Sequence, residues 1–265
     1  MPETPDRETS PPALAVVAPP LSVVVPALSV VVPVRDEAEN ILPLVAEIAA
    51  VLAGLAYEIV YVDDASTDAT PARLAEALAL APLRRLRHSR PCGQSIAVVS
   101  GVRAARGAWI VTLDGDGQND PADIPRLYAA AQAEERRADR PVLIVGRRDK
   151  RRDRLMKRLG SRIANRVRAA ILGDATPDSG CGLKIFRRAA FLELPAFDHM
   201  HRFLPALFIR AGGRVVSLAV NHRPRASGRS HYGTLDRLAA GLVDLCGVMW
   251  LMRRWHPPAA RDLDA

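Results

Sequence analysis

The chain has 265 residues, of which 49% are hydrophobic and 25% charged, and its formal net charge is +8. This is the composition of a globular protein that can bury a full core. Residues 147–168 hold 11 basic and 2 acidic residues, so the positive charge is local and a globally basic nucleic-acid coat protein is excluded. Aromatic residues make up only 5% of the chain, which argues against a stacking surface for single-stranded nucleic acid.

The first 27 residues are predicted to form a Pro-rich tail that need not fold. They begin with polar and acidic residues, where a signal peptide would begin with basic ones. Six prolines interrupt the uncharged residues 11–34, so this segment does not suit a membrane-spanning helix. The apolar segment Ala239–Met252 is too short to cross a membrane and carries Asp244. We therefore expect a protein that is soluble or lies on a membrane surface. Three widely spaced cysteines predict neither a disulfide framework nor a zinc site and indicate a reducing compartment.

From residue 28 onward, short apolar runs alternate with segments of helical periodicity. Continuous β-branched runs suit strands that are buried on both faces. Strands are predicted at Leu28–Val34, Glu58–Val62, Leu83–His88, Trp109–Leu113 and Val142–Val145. Helices are predicted at Ala38–Leu52, Thr70–Leu80, Gln94–Ala105 and Pro121–Arg136. This alternation predicts an α/β fold with right-handed βαβ units and a mostly parallel sheet flanked by helices.

The second half of the chain has a different pattern, which we interpret as an elaboration of the same sheet. Its predicted elements are a basic helix Arg154–Leu172, a strand Gly182–Arg187, a helix Arg202–Ala211, a strand Arg214–Val220 and an apolar helix Leu235–Arg254. The basic helix has one apolar face, which is typical of a solvated surface helix or of a helix on anionic lipid headgroups. We divide the chain into a tail (1–27), one domain (28–234) and a C-terminal helix and tail (235–265), the last a possible contact with a membrane surface.

Acidic residues follow the predicted strands. Asp63 and Asp64 end the second strand, and Asp114 and Asp116 follow the fourth. Because the carboxyl ends of parallel strands meet at one edge of a sheet, these carboxylates would repel one another. A cation, or a ligand rich in donors such as a nucleobase and ribose, would remove that repulsion. Oxygen ligands without His or Cys nearby favour Mg²⁺ or Mn²⁺.

Other polar residues have structural interpretations. Asp68 and Asp120 precede predicted helices and suit N-terminal caps. The side chains of His199 and His201 would point apart on a helix, so we expect surface or loop residues there and no metal pair. Arg202, in the run His201–Pro205, is the more plausible phosphate contact.

Five segments together point to a family: PVRDEAENI (33–41), YVDDASTDAT (61–70), GQSIAVVSGVRAARG (93–107), VTLDGDGQNDP (111–121) and DSGCGLKIFRR (178–188). In this order they resemble family 2 glycosyltransferases of the GT-A fold, and especially the polyprenyl- or dolichyl-phosphate sugar synthases. The resemblance covers about residues 28–250. It implies a metal-dependent, inverting transfer of one sugar from a GDP- or UDP-linked donor to a polyprenyl phosphate at the cytoplasmic membrane face.

The resemblance also implies roles for individual residues. The nucleotide-sugar donor would be held by Pro33, Arg35, Glu37, Asp63, Asp64, Gln94 and Asp114. The metal, Mg²⁺ or Mn²⁺, would be bound by Asp116 and Gln118. The acceptor phosphate would be held by Arg148, Lys157, Ser161, Arg225, Ser230 and His231, to which we add Arg202. The catalytic residues would be Asp116, Arg148 and Arg225.

The chain departs from the family pattern at several positions. Arg35 and Asp36 replace a Tyr and an Asn, and Arg35 can still stack on a base. His231 replaces a Lys, which makes the charge there depend on pH. Lys157 replaces a common Arg and removes bidentate phosphate binding. These departures leave the reaction class unchanged.

The choice of a phosphate acceptor follows from its chemistry. A lipid monophosphate is already ionised near neutral pH and needs cations to orient it, whereas a hydroxyl acceptor needs a base. Asp198 is the only obvious late carboxylate for that alternative, a glycolipid or protein hydroxyl acceptor. The Q-x-x-R-W motif of polymerising relatives is not found, since Leu251 stands in place of its glutamine.

Two alternatives belong to other classes of protein. One is a nucleic-acid-binding protein that uses residues 147–168, and the other is a catalytically silent sugar-nucleotide sensor. NAD binding is disfavoured because no GxGxxG follows the first strand. We expect a nucleotide-sugar, a polyprenyl phosphate and an anionic membrane surface as partners, and no nucleic acid.

Overall fold

The computed structural model describes residues 25–138, 140–148, 168–169, 171–174, 176–224 and 234–254. Within these ranges, seven strands form one sheet in the order β3-β2-β1-β4-β6-β5-β7. The strands are β1 (Leu28–Val34), β2 (Tyr57–Asp63), β3 (Leu83–Arg87), β4 (Trp109–Thr112), β5 (Val142–Arg148), β6 (Lys184–Arg187) and β7 (Arg214–Val220). Neighbouring strands are parallel except at β6, which runs antiparallel to both β4 and β5.

Helices cover both faces of this sheet. They are α1 (Ala38–Val51), α2 (Thr70–Glu76), α3 (Gln94–Ala104), α4 (Ile124–Arg137), α5 (Arg188–Leu192), α6 (Leu204–Arg210) and α7 (Thr234–Arg254). Short 3-10 turns lie at Ala77–Ala79, Pro121–Asp123 and Met200–Arg202. No helix among the described residues combines the length and the apolar character needed to cross a membrane.

Strand β1 shows why the sheet needs helices on both sides. Val30 and Val32 are fully buried in the hydrophobic layer formed with α1, α2 and α4. Val31 points the other way, as alternate strand residues must, and is fully buried in the layer formed with α3, α5, α6 and α7. An uninterrupted apolar run is therefore what a central parallel strand requires.

Most of the predicted elements are confirmed, and β1 and β7 have the predicted bounds. The helix predicted at Thr70–Leu80 ends earlier, at Glu76, and continues as a 3-10 turn. The helix predicted from Pro121 begins with a 3-10 turn, which Asp120 caps. Helix α5 was not predicted. The predicted tail lies almost entirely outside the described residues, as does most of the predicted basic helix.

The strand register brings the polar strand ends together. Val34 at the end of β1 pairs with Asp63 at the end of β2, and Val31 pairs with Thr112 at the end of β4. The Asp64 N–H donates to the Val34 carbonyl oxygen at 2.9 Å. The segments that follow β1, β2 and β4 therefore leave the sheet at one edge, where the ligands of α/β proteins bind.

Close packing of α3 on the sheet depends on Gly101. A Cβ at this position would overlap the side chain of Val31 and lie 3.1 Å from Cγ2 of Val62. Val31 is fully buried, so a larger residue has no room without moving α3 away from the sheet. This matters for function because the first residues of α3 lie at the polar edge of the sheet.

We predict that Gly101→Ala lowers the melting temperature. Alanine gains about 1 kcal/mol of helix propensity over glycine, but overpacking a core typically costs about 1–3 kcal/mol. Gly241→Ala in α7 is the matched control, because an added Cβ there meets nothing within 4 Å and only the propensity gain remains. Thermal unfolding followed by circular dichroism measures both variants. A rise in melting temperature for Gly101→Ala would contradict the close packing of α3.

Candidate active site

The turn after β4 holds two carboxylates at the polar edge of the sheet. A Cβ at Gly115 would lie 3.2 Å from the Pro33 carbonyl oxygen and overlap a side chain of β1. Gly117 has a φ of +72°, in the left-handed region that glycine adopts readily. The glycines thus allow a tight turn against β1, with Asp114 and Asp116 two residues apart on it.

The carboxylate of Asp114 is closely surrounded by protein. Gln94 Nε2 donates a hydrogen bond to its Oδ1 at 2.8 Å, and a Cβ at Gly182 would overlap the carboxylate group. Burial raises the pKa of Asp114 to about 6, and repulsion from Asp116 adds to this rise. The positive charges of Lys184 and Arg148 and the Gln94 hydrogen bond act in the opposite direction.

Asp114 opens onto a cavity of about 450 Å³. Five residues that the sequence predicted for the donor or the acceptor line this cavity together: Pro33, Gln94, Asp114, Arg148 and Arg202. The other lining residues are Val98, Thr112, Leu113, Gly180, Gly182, Lys184, His201 and Leu204. The structure therefore joins predicted donor and acceptor residues around one carboxylate.

Arg148 is held in place by Asp178. Its Nε and Nη2 donate to the two Asp178 carboxylate oxygens, each at 2.7 Å, and its backbone N–H donates to Oδ2 at 3.2 Å. A bidentate pair of this kind fixes the plane of the guanidinium. Asp178 is 7% exposed. It belongs to one of the family segments, but sequence reasoning gave it no role.

Lys184 is a second residue that sequence reasoning missed. It lies on β6, is 2% exposed and donates from Nζ to the carbonyl oxygen of Cys181. Burial lowers its pKa, while the nearby groups Cys181, Asp114 and Asp178 raise it. A signal existed in the sequence, because Lys184 comes directly before the apolar pair Ile185 and Phe186 in a predicted strand, and a lysine buried with such a strand needs a charge partner.

His201 lies in a short turn, in agreement with the expectation of a loop residue, but its place at the cavity was not predicted. It lies in the turn Met200–Arg202 and lines the cavity, with its ring beside Ser95. The prediction assumed helical spacing, but a 3-10 turn follows His199, whose φ is +62°. The ring of His199 does not line the cavity, and its Nδ1 lies 2.9 Å from Oδ2 of Asp244 on α7.

The other predicted donor residues lie outside this cavity. Asp64 accepts hydrogen bonds from the backbone N–H groups of Cys92 and Gly93, each at 2.8 Å. His88 Nδ1 lies 2.7 Å from Asp64 Oδ1. Burial raises the Asp64 pKa more than any single hydrogen bond lowers it, but the hydrogen bonds from His88, Cys92 and Gly93 together bring the pKa below its usual value. Asp64 thus anchors the loop that leads into α3.

Asp63 and Arg35 also have protein partners. The Ser66 N–H donates to Asp63 Oδ1 at 2.8 Å, and Arg87 Nε lies 3.3 Å from Asp63 Oδ2. Arg35 Nε lies 3.8 Å from Asp36 Oδ2. Roles for these residues in donor binding remain predictions.

Glu37 lies at a second, more open cavity of about 820 Å³. Its Oε2 accepts a hydrogen bond from Asn40 Nδ2 at 2.6 Å, and its backbone N–H donates to Thr70 Oγ1 at 2.9 Å. These contacts fix the start of α1. The part of Glu37 in donor binding also remains a prediction.

The capping role predicted for Asp120 is confirmed, whereas α2 has Ala69 at its N-cap and Asp68 lies one residue before it. Asp68 Oδ1 accepts from the N–H of Thr70, the first residue of α2, at 2.9 Å. Asp120 Oδ1 accepts from the Ala122 N–H at 3.0 Å. Both carboxylates satisfy backbone donors that helix starts leave unpaired.

Asp116 and Gln118 are two residues apart on the turn after β4. Asp116 Oδ1 accepts a hydrogen bond from the backbone N–H of Gln118 at 3.1 Å. Metal binding by this pair remains a prediction. Five of the residues predicted to contact the acceptor phosphate lie outside the described residues: Lys157, Ser161, Arg225, Ser230 and His231.

Two substitutions should move the pKa of Asp114 in opposite directions. Lys184→Met removes a nearby positive charge, so the pKa should rise above its value of about 6. Asp116→Asn removes a negative charge, so the pKa should fall. Carbon-detected NMR titration of the aspartate carboxyl groups in the metal-free protein measures both shifts. Shifts of the same sign, or none, would contradict the electrostatic description of the site.

Comparison with known proteins identifies the family. Residues 29–194 match the family model described as glycosyl transferase family 2. The dodecaprenyl-phosphate galacturonate synthase of Rhizobium johnstonii is 38% identical over 228 residues, which are 82% of this chain and 65% of that protein. The undecaprenyl-phosphate 4-deoxy-4-formamido-L-arabinose transferase of Pseudomonas paraeruginosa is 34% identical over 209 residues, which are 77% of this chain and 58% of that protein. The chain thus spans less than two thirds of the length of each of these relatives.

The fold has solved counterparts. Glucosyl-3-phosphoglycerate synthase from Mycobacterium tuberculosis, in complex with Mn²⁺, UDP-glucose and phosphoglyceric acid, superposes with a TM-score of 0.64 at 21% identity, covering 89% of this chain and 81% of that one. This likeness confirms the predicted GT-A-like sheet. The sequence relatives confirm the resemblance predicted from the five segments. The chain belongs to glycosyltransferase family 2.

Proposed function

We propose that this protein transfers a single sugar, with inversion, from a nucleoside-diphosphate donor to a polyprenyl phosphate at the cytoplasmic face of a membrane. The names of the two sequence relatives, both sugar transferases of polyprenyl phosphates, support the acceptor class. The observation that carries the proposal is the cavity in which Asp114 lies with the cations Arg148, Lys184 and Arg202. Such a cavity suits a reaction in which both substrates carry anionic phosphate groups, one as the attacking group and the other as the leaving diphosphate.

A divalent ion fits the turn after β4. Burial, and after it repulsion from Asp116, raises the Asp114 pKa to about 6, and a cation would relieve the repulsion. Carboxylate and amide oxygens are ligands that suit Mg²⁺ or Mn²⁺, so Asp116 and Gln118 would hold the ion. When bound, the ion supplies positive charge to the diphosphate that leaves the sugar.

The chain's own cations orient the phosphates. Asp178 fixes the guanidinium of Arg148 at the cavity wall, where it can bind phosphate oxygens in a defined plane. Lys184 supplies a second charge, fixed by burial on β6. A polyprenyl phosphate placed among these groups needs no base, because its attacking oxygen is already ionised.

The alternative of a hydroxyl acceptor has less support. It requires a base beside the acceptor oxygen, and Asp198 was the candidate for this role. Asp198 is exposed and is not among the residues that line the cavity. The phosphate acceptor therefore agrees better with the side chains around Asp114.

An exposed face of α7 supports attachment to a membrane surface. Leu242, Val243 and Trp250 are 58%, 73% and 60% exposed, and helical spacing places them on one side of the helix. Val248 on the opposite side is buried in the core. Arg253 and Arg254 follow on the exposed side, as in helices that lie on anionic headgroups.

The test of the function is release of nucleoside diphosphate from a panel of GDP- and UDP-sugars, with Mg²⁺ or Mn²⁺, with and without undecaprenyl phosphate. We expect one donor to react, dependent on both metal and lipid phosphate. Lipid-independent hydrolysis would contradict the acceptor, and the absence of turnover would favour a silent sugar-nucleotide sensor.

In this assay Asp116→Asn should lower the rate by at least about a hundredfold, the usual loss when a group that stabilises transition-state charge is removed. Glu76→Gln is the control, because Glu76 is an exposed carboxylate whose partner is Arg73 on the same helix. A wild-type rate for Asp116→Asn would contradict the assigned metal site.

Vesicle flotation tests the surface contact. Replacing Leu242 and Val243 together by Ser should weaken binding to vesicles that contain phosphatidylglycerol, because both side chains would lie in the headgroup region. Leu80→Ser is the matched control, since Leu80 is 49% exposed and lies outside α7. Equal binding of the double variant and the control would contradict attachment through α7.

A further inference from the structure

His201 is held against Ser95 by two contacts. Its Nδ1 lies 2.6 Å from Ser95 Oγ, and its backbone N–H donates to the same oxygen at 3.1 Å. Ser95 is the second residue of α3 and is 3% exposed. The imidazole therefore has one defined orientation at the wall of the cavity.

These contacts favour one tautomer of His201. Ser95 Oγ already accepts the His201 backbone N–H, and within the described part of the chain Nδ1 is its other hydrogen-bond contact. The arrangement that satisfies both groups has the hydroxyl donating to Nδ1, because a proton on Nδ1 would leave the hydroxyl proton without an acceptor among the described residues. A neutral imidazole that accepts at Nδ1 carries its proton on Nε2. The ring thus has an N–H donor on the edge away from Ser95, and Nε2 has no hydrogen-bond partner among the described residues.

The surroundings keep this imidazole neutral. Burial lowers the pKa of His201 well below its usual value, and the positive charges of Lys184, Arg202 and His199 lower it further. The other charged groups that line the same cavity are Asp114 and Arg148. A neutral donor accordingly lies among residues that carry full charges.

We propose that Nε2 of His201 donates a hydrogen bond to a hydroxyl oxygen of the transferred sugar, and that Ser95 is the positioning residue that sets its tautomer and orientation. The inference rests on the proposed function. Phosphate oxygens are best bound by charged donors, which Arg148, Lys184 and Arg202 supply. A neutral, fixed donor suits an uncharged hydroxyl, and a site built to bond a hydroxyl discriminates against sugars that lack it there.

The placement of Ser95 supports this assignment. The preceding residue, Gln94, donates to Asp114, so consecutive residues at the start of α3 position the carboxylate and the imidazole. Gly101 fixes the distance of α3 from the sheet. His201 and Asp114 are thereby oriented by one rigid element, as discrimination between sugars requires.

Calorimetric binding in the presence of Mn²⁺ tests the inference. The probe is the tightest binder among UDP- and GDP-linked hexoses and hexuronates, compared with its nucleoside diphosphate alone. His201→Asn should weaken binding of the nucleotide-sugar by about five- to tenfold, the value of one neutral hydrogen bond, and leave binding of the nucleoside diphosphate unchanged.

In His201→Gln the amide nitrogen reaches the position of Nε2, so the affinity for the nucleotide-sugar should be largely retained. His199→Asn is the control, since His199 pairs with Asp244 and does not line the cavity.

Nitrogen NMR of the histidine rings tests the role of Ser95. The wild-type protein should show a neutral His201 with the proton on Nε2 at pH 7, and Ser95→Ala should give a mixture of tautomers with weaker nucleotide-sugar binding. An imidazolium, or a proton on Nδ1, would overturn the inference.

The binding outcomes are equally decisive. Unchanged affinity in His201→Asn would overturn the contact, and equal weakening for the nucleoside diphosphate would reassign it to a phosphate. Either result leaves the proposed function standing if the wild-type protein binds a donor. A wild-type protein that binds none of the donors would overturn the proposed function, and the inference with it.

Discussion

The carboxylate of Asp114 is the constraint on which the site depends. A carboxylate so closely surrounded by protein is costly unless donors and opposite charges compensate it. Here Gln94 on α3 bonds it, while Arg148 on β5 and Lys184 on β6 stabilise its charge. Gly182 leaves room for it, because any Cβ there would overlap the carboxylate. Helix α3, strand β5 and strand β6 with the loop before it must therefore be in place before Asp114 is tolerated.

The sheet order is what brings those elements together. Because β6 runs antiparallel between β4 and β5, Lys184 lies beside the end of β4 and Arg148 ends the next strand. The Asp178 side chain then holds Arg148 from the loop that precedes β6. A parallel strand in this position would place its first residues at the opposite edge, away from Asp114. The one antiparallel strand of the described sheet thus supplies charge at the polar edge.

The sequence predicted what depends on local pattern. The buried β-branched runs indicated the strands, and the short polar side chain of Asp120 indicated the cap that it forms. The position of β6 was not predictable from periodicity, because a short strand does not specify its neighbours or direction. Lys184 and His201 were missed because their roles come from contacts distant in sequence. Asp64 also shows this limit: it looked like part of a charged cluster, but backbone N–H groups of the loop before α3 satisfy it.

Mass spectrometry of the lipid product detects the proposed sugar transfer itself. After incubation with the reactive nucleotide-sugar, metal and undecaprenyl phosphate, we expect one new species with a single sugar joined through a phosphodiester to the lipid. A sugar found on a hydroxyl, several sugars on one lipid, or no glycolipid despite consumption of the donor would contradict transfer to a polyprenyl phosphate.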